Sequence, residues 1–177
     1  EGSTRALLAF EDLLPAGGGE YTQLFSGFTP PDVPVLIDDS RTFTCVIEGD
    51  PHVRQVDSRR HVDLYEVGTF TAYESTRRDF QVQIRTWPCT RRQVSCVCGV
   101  TVREGNDVIR INQCDQIQNI YASPVVSVAN QLHPGTEIKR SGDGKKIEVL
   151  LASGSSIKIS SRWNMMTLSI TTPGTDR

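Results

Sequence analysis

Residues Phe80 to Arg85 alternate strictly. Phe80, Val82 and Ile84 fall on one side of an extended chain, and Gln81, Gln83 and Arg85 on the other. That period of two describes a strand with one buried and one wetted face. From residue 43 onward it recurs in short segments separated by turn residues, and a helical period is hard to find. Residues 80–85 read as a strand and 98–114 as a hairpin. Residues 146–152 and 156–160 flank Ser153-Gly154-Ser155 as a hairpin, Ser141 to Gly144 reads as a turn, and residues 164–172 run into Pro173-Gly174. The pattern predicts an all-β fold, a two-layer antiparallel β-sandwich of about ten strands with an extended N-terminal arm. At 177 residues the chain can bury a real core.

Residues 1–42 differ in composition and are expected to form an arm or linker lying on this domain or on a neighbour, with the sandwich spanning 43–177. Pro15, Pro30, Pro31 and Pro34 and the Gly17–Gly19 run break the stretch up. Arg5 to Leu14 reads as two or three helical turns stopped by Pro15. Phe25, Phe28, Val33, Val35, Leu36 and Ile37 are too apolar for a free linker. The chain starts at Glu1 without a signal-peptide pattern, and is expected to be a processed or excised segment.

Five cysteines, at 45, 89, 96, 98 and 114, point to an oxidising compartment, and their odd number leaves one without a partner in the chain. A zinc site fits poorly. Cys96 and Cys98 are too close for a zinc knuckle, and His52, His61 and His133 lack ligand spacing. A two-residue turn at Gly105-Asn106 pairs Val100 with Ile111 and Val102 with Ile109. It sets Cys98 opposite Gln113, one residue short of Cys114, and a one-residue bulge would bring the two cysteines together.

The most chemically loaded stretch is Gly49-Asp50-Pro51-His52. An X–Pro amide has lost much of its trans preference and its nitrogen carries no hydrogen. The Asp50 carboxyl can attack its own peptide carbonyl, His52 can carry the proton, and Gly49 leaves room for the approach. The competing reading is a strand ending in a turn, since Gly, Asp and Pro all punctuate turns.

The segment Cys45-Val46-Ile47-Glu48-Gly49-Asp50-Pro51-His52-Val53, followed by Asp57, resembles the opening of the von Willebrand factor type D domain, and residues 67–73, 80–96 and 100–111 are similar to the strands and disulfide loop that follow. The resemblance covers roughly residues 43–173; the Gly-Asp-Pro-His block is its specific part and the later strands match by pattern. It implies autocatalytic cleavage of Asp50–Pro51, with Asp50, Pro51 and His52 taking part and the fragments staying joined by sheet hydrogen bonds and disulfides. It also implies a Cys89–Cys96 loop disulfide. With the register above, the expected set is Cys89–Cys96 and Cys98–Cys114, with Cys45 left over. The alternative, Cys89–Cys98 with Cys96–Cys114, fails only if the strands place 96 and 114 on opposite faces. In the family the first cysteine pairs with one in a later Cys-Gly-Leu-Cys-Gly segment that this sequence lacks, so Cys45 is expected either to bridge to another segment or to stay a buried thiol. Asp57 matches a family calcium ligand; one carboxylate makes no Ca2+ site, and Ser58 stands where the family has Gly.

With 19 basic and 21 acidic residues the net charge is −2, which gives no electrostatic reason to expect nucleic acid. The pairs Arg59-Arg60, Arg77-Arg78 and Arg91-Arg92 read as solvated strand ends and loops. No apolar run reaches membrane-spanning length, so direct membrane insertion is not expected. No phosphate loop, nucleophile elbow or paired His–Cys motif marks a conventional enzyme, and Ca2+ is the one cofactor the resemblance suggests, weakly, through Asp57. Trp87 and Trp163 are expected in the core or an interface. The resemblance therefore implies an extracellular structural or adhesive module of a larger secreted or cell-surface glycoprotein of the matrix. Its partners would be other segments or subunits of the same assembly. The alternative is a ligand-binding module of a guidance-molecule-like or lipid-carrier-like extracellular protein.

Overall fold

In the computed structural model the described residues are 4–8, 33–37, 42–49, 51–54, 61–89, 94–116, 119 and 121–176. The chain divides into two units, Glu1–Ser40 and Arg41–Arg177. In the first, β1 (Thr4–Leu8) pairs antiparallel with β2 (Val33–Ile37), from Thr4 opposite Ile37 to Leu8 opposite Val33. This corrects the expected helix over 5–14 at residues 5–8; residues 9–14 lie outside the described residues. A helical reading weighs local propensity alone. Here the backbone groups go instead to a distant strand whose Val and Ile residues favour extended chain.

The second unit contains β3 (Thr42–Glu48), β4 (His52–Arg54), β5 (His61–Asp63), β6 (Thr69–Glu74), β7 (Phe80–Pro88), β8 (Ser95–Glu104), β9 (Asp107–Asn112), β10 (Val125–Val128), β11 (Glu137–Arg140), β12 (Lys146–Leu150), β13 (Ser156–Arg162) and β14 (Met165–Pro173). They form two antiparallel sheets, of five strands in the order β10-β9-β8-β7-β6 and of seven in the order β11-β12-β13-β14-β3-β4-β5. The fold is the expected all-β sandwich, with twelve strands rather than about ten. The three-residue β4 and β5 are too short to show a period of their own.

One core joins the two inner faces. Phe80, Val82, Ile84, Val100, Val102, Ile109 and Ile111 come from the smaller sheet; Cys45, Ile47, Ile147, Val149, Ile157, Ile159, Met166, Leu168 and Ile170 come from the larger one. Full burial of each large aliphatic side chain contributes about 1.5–3 kcal/mol. Along most of these strands the buried set alternates with more exposed residues, so a one-residue slip would expose a whole face, while the first half of β8, Ser95 to Val100, is buried throughout. The β8–β9 hairpin turns at Gly105-Asn106 with Val100 opposite Ile111 and Val102 opposite Ile109, as the sequence predicts. Gly105 there takes a left-handed φ of 54°.

A half-buried ionic network ties the end of β14 to the smaller sheet. Past β14 the chain makes a 3-10 turn, Gly174–Asp176. Asp176 accepts from Ser75 Oγ at 2.7 Å, Tyr73 OH at 2.9 Å and Arg78 Nη2 at 3.1 Å, and from Arg78 Nε. Arg78 also donates to Glu104 and, at 2.5 Å, to Ser155, and its guanidinium lies 4.4 Å over the Phe80 ring. The expectation of a solvated Arg77-Arg78 pair is thus wrong for Arg78; Arg77 is exposed.

Burial works against ionisation of Asp176, but hydrogen bonds from Arg78, Ser75 and Tyr73 outweigh it. The carboxyl is held below its ordinary value of 3.8. Its contribution to stability is therefore whole above that value and is lost as pH falls through the lower folded-state value. Asp176→Asn is expected to lower the unfolding free energy by about 2–3 kcal/mol in urea titrations near neutral pH. The variant should also lose part of the wild type's acid sensitivity.

Candidate functional site

The turn between β3 and β4 is three residues long. Glu48 pairs with His52, Ile47 with Val53 and Val46 with Arg54, so Gly49, Asp50 and Pro51 form the tip. Gly49 has a φ of 71°, a left-handed conformation that a side chain would strain, and a Cβ there would sit 3.5 Å from the His52 ring. Pro51 is buried, and its carbonyl accepts the Leu64 N–H at 3.0 Å. Asp50 lies outside the described residues.

His52 is held from the neighbouring strand. β4 pairs with β5, placing His52 opposite Asp63, and Nδ1 lies 2.6 Å from Asp63 Oδ1. The other Asp63 oxygen accepts from Tyr65 OH at 3.2 Å. An ionised carboxylate can only accept, so in a neutral ring the contact places the proton on Nδ1. Both side chains are nearly half exposed, so the pair is open to water. Glu48 and Arg54 form a longer, exposed ion pair at 3.8 Å beside it.

Sequence reasoning missed Asp63 altogether. Its signal, a His-Val-Asp triplet at 61–63 with alternating faces, carries no meaning until β4 and β5 are known to pair. His61 sits on β5 opposite Arg54. Asp57, the weak calcium candidate, lies outside the described residues, and among the described residues no cluster of three or more His, Cys, Asp or Glu side chains could hold a metal.

The cysteines settle into one arrangement. Cys89 bonds to Cys96 and Cys98 to Cys114, with Cα separations of 5.6 and 4.8 Å. Trp87 lies opposite Cys96 across the β7–β8 hairpin, which brings Cys96 beside Cys89. Cys98 O accepts the Gln113 N–H at 2.8 Å, which confirms the predicted register. The bulge falls on the β7 side of β8: Arg85 pairs with Gly99 and Thr86 with Val97, skipping Cys98. Just past Gln113 the chain tightens into the 3-10 turn Cys114–Gln116, with the Cys114 N–H bonded to Asn112 Oδ1 at 3.0 Å. Trp87 packs on the two disulfides with only 8% of its surface exposed. Trp163 is not a core residue. It is 59% exposed on the β13–β14 turn, with Arg162 4.1 Å over its ring.

Cys45 is the remaining thiol and is buried on β3, opposite Ile170. Burial pushes its pKa up from the ordinary 9.0, which disfavours the nucleophilic thiolate. His133 belongs to a structural loop, where its N–H bonds to buried Asp107 at 2.8 Å and its Nδ1 lies 2.7 Å from Pro134 O. Among the described residues no helix is long and apolar enough to cross a membrane.

No model of a known protein family matches the chain.

Cys45 is expected to resist iodoacetamide in the native protein and to react fully once the chain is unfolded without reductant. Peptide mapping of the alkylated protein reads this directly, and rapid labelling of the folded chain would contradict the buried placement.

Proposed function

We propose that this chain is an extracellular structural or adhesive module that cleaves itself once at Asp50–Pro51 and acts as part of a larger disulfide-bearing assembly. The observation that carries the cleavage is the imidazole at the hairpin tip, adjacent to the scissile residues and anchored through Nδ1 by Asp63. The extracellular assignment rests on the two disulfides and on the likeness of the Cys45–His52 stretch to the type D domain. A ligand-binding module is the weaker reading, because Ile, Val, Leu and Phe side chains from both sheets fill the space between them.

The chemistry balances as a hydrolysis. An oxygen of the Asp50 carboxyl adds to the Asp50 carbonyl carbon, and the carboxyl proton passes by way of His52 Nε2 to the Pro51 nitrogen. The carbon–nitrogen bond breaks, leaving a cyclic anhydride at Asp50 and a free proline amine. Water then opens the anhydride to two carboxyl groups. Asp63 acts as a positioning residue: it fixes the ring tautomer and supports the positive charge that His52 carries while it holds the proton.

Incubation at about pH 5, where the carboxyl retains its proton more often, is expected to yield one fragment ending at Asp50 and one beginning at Pro51. Asp50→Ala should stay intact, and scission in that variant would refute the mechanism. Asp63→Ala should slow scission about tenfold or more. In that variant nitrogen NMR should also show the His52 proton moving toward Nε2, which simple loosening of the turn would not produce.

A second expectation concerns what holds the products together. Both disulfides lie on the C-terminal side of position 50 and Cys45 is unpaired. Disulfides therefore do not join the fragments, contrary to the expectation from sequence; within the sandwich β3 is held by its ladders with β14 and β4. Cleaved protein should run as one species on native gels and separate in denaturant without any reductant.

A further inference from the structure

We propose that the slot between β14 and β4 is a strand-acceptor site, and that after scission at Asp50–Pro51 it takes the β3 of a second copy of this chain. The proposal rests on the self-cleavage reading for the event that frees β3, and on the described geometry for everything else.

β3 is an interior strand. It pairs with β14 from Thr42 opposite Pro173 to Ile47 opposite Leu168, and with β4 from Val46 opposite Arg54 to Glu48 opposite His52. Its buried inward side chains are Cys45, 4% exposed, and Ile47, fully buried, with part-buried Phe43 on the same face. Removing β3 would leave two facing strand edges, each with unpaired N–H and C=O groups, over a hole shaped for one small thiol and one isoleucine. Main-chain bonding supplies the affinity of such a site and the two alternating pockets supply its selectivity. The strand that fits it is β3 itself.

In the intact chain the turn at Gly49–Pro51 tethers β3 to β4. A peeled strand therefore falls back at a high local concentration and no other copy competes. A break at Asp50 removes that tether, and no disulfide replaces it. Because β14 runs antiparallel to β3, the N-terminal end of β3 and the C-terminal end of β14 lie side by side at the Thr42–Pro173 pair. Peeling can start at that end and proceed one pair at a time, without shearing the whole ladder at once. Exchange then remounts the N-terminal part of one chain on the C-terminal part of another.

The test mixes equal amounts of isotopically heavy and light full-length protein after scission and follows the pairs by native mass spectrometry. The two hybrid pairs, heavy 1–50 with light 51–177 and the reverse, are together expected to approach about half of the total, as random pairing requires, while uncut chains form none. Ile47→Ala is expected to speed exchange about tenfold or more by loosening the buried anchor. Purely parental pairs in both the wild type and Ile47→Ala would overturn the acceptor site, and so would hybrids formed by uncut chains. A chain carrying a protease site in the Gly49–Pro51 turn, cut by that protease, separates the two readings. If only this chain breaks and it gives hybrids, the acceptor site stands and spontaneous cleavage falls; if it breaks and stays parental, the acceptor site falls whatever the wild type does.

Discussion

The antiparallel seam between β14 and β3 is the interaction on which the sandwich depends. Every other strand pair described in the second unit joins neighbours in sequence: β3 to β5, β6 to β10 and β11 to β14 are three meanders. The seam alone ties the first meander to the last, across almost the whole length of the unit. Closing so long a loop costs conformational entropy before any contact repays it. The return is the burial of Cys45 and Ile47 against Leu168 and Ile170, with six residue pairs along the ladder. Without the seam the larger sheet would split into a four-strand and a three-strand piece, each with an open edge over the core.

The covalent and ionic reinforcements lie elsewhere. Both disulfides are in the part of the smaller sheet around β7, β8 and the turn after β9, where they pack with Trp87 and Met165. The Arg78 network fastens the 3-10 turn after β14 to the β6–β7 loop and to β8. β14 is thus held from two directions, by its hairpin with β13 and by Asp176. β3 carries no disulfide, and beside its ladders it has the Thr44–Thr171 hydroxyl contact at 3.1 Å and the exposed Glu48–Arg54 pair at 3.8 Å. The strand most distant in sequence from its partner is thus held without a covalent cross-link.

What could be read from the sequence follows the same division between local and distant. The β8–β9 hairpin was legible down to its register, because Gly105-Asn106 names the turn and Val100, Val102, Ile109 and Ile111 name the buried face. The strand at 80–88 was legible from alternation, and the disulfides from register together with the family likeness. The Arg78–Asp176 bond was not, because the partners are almost a hundred positions apart and Arg78 looks like any basic residue in a turn. The His52–Asp63 contact was hidden for a related reason. The two residues are close in sequence, but the strands that bring them together are three residues long and show no period. The strand at Thr4–Leu8 was read as helix because its Leu and Ala residues favour helix locally, and nothing nearby reveals Val33–Ile37 as its partner.

The placement of the candidate scissile bond suits a reaction that could run backwards. Glu48 and His52 are paired on either side of the tip, and Pro51 O is fixed by Leu64, so a broken chain would keep its new ends close together. Under the proposed chemistry the proline amine would remain near the anhydride and compete with water for it, at the effective concentration that makes intramolecular steps fast. Two things favour water. Protonation removes the lone pair that the amine needs for return, and a half-exposed His52 beside the break admits solvent. Acid then acts twice, keeping the carboxyl supplied with the proton that leaves with proline and holding the departed amine as its cation. A rigid, dry turn would preserve the bond. Here the flanking strands stay paired and His52 is open to water, which is the combination the proposed scission would need.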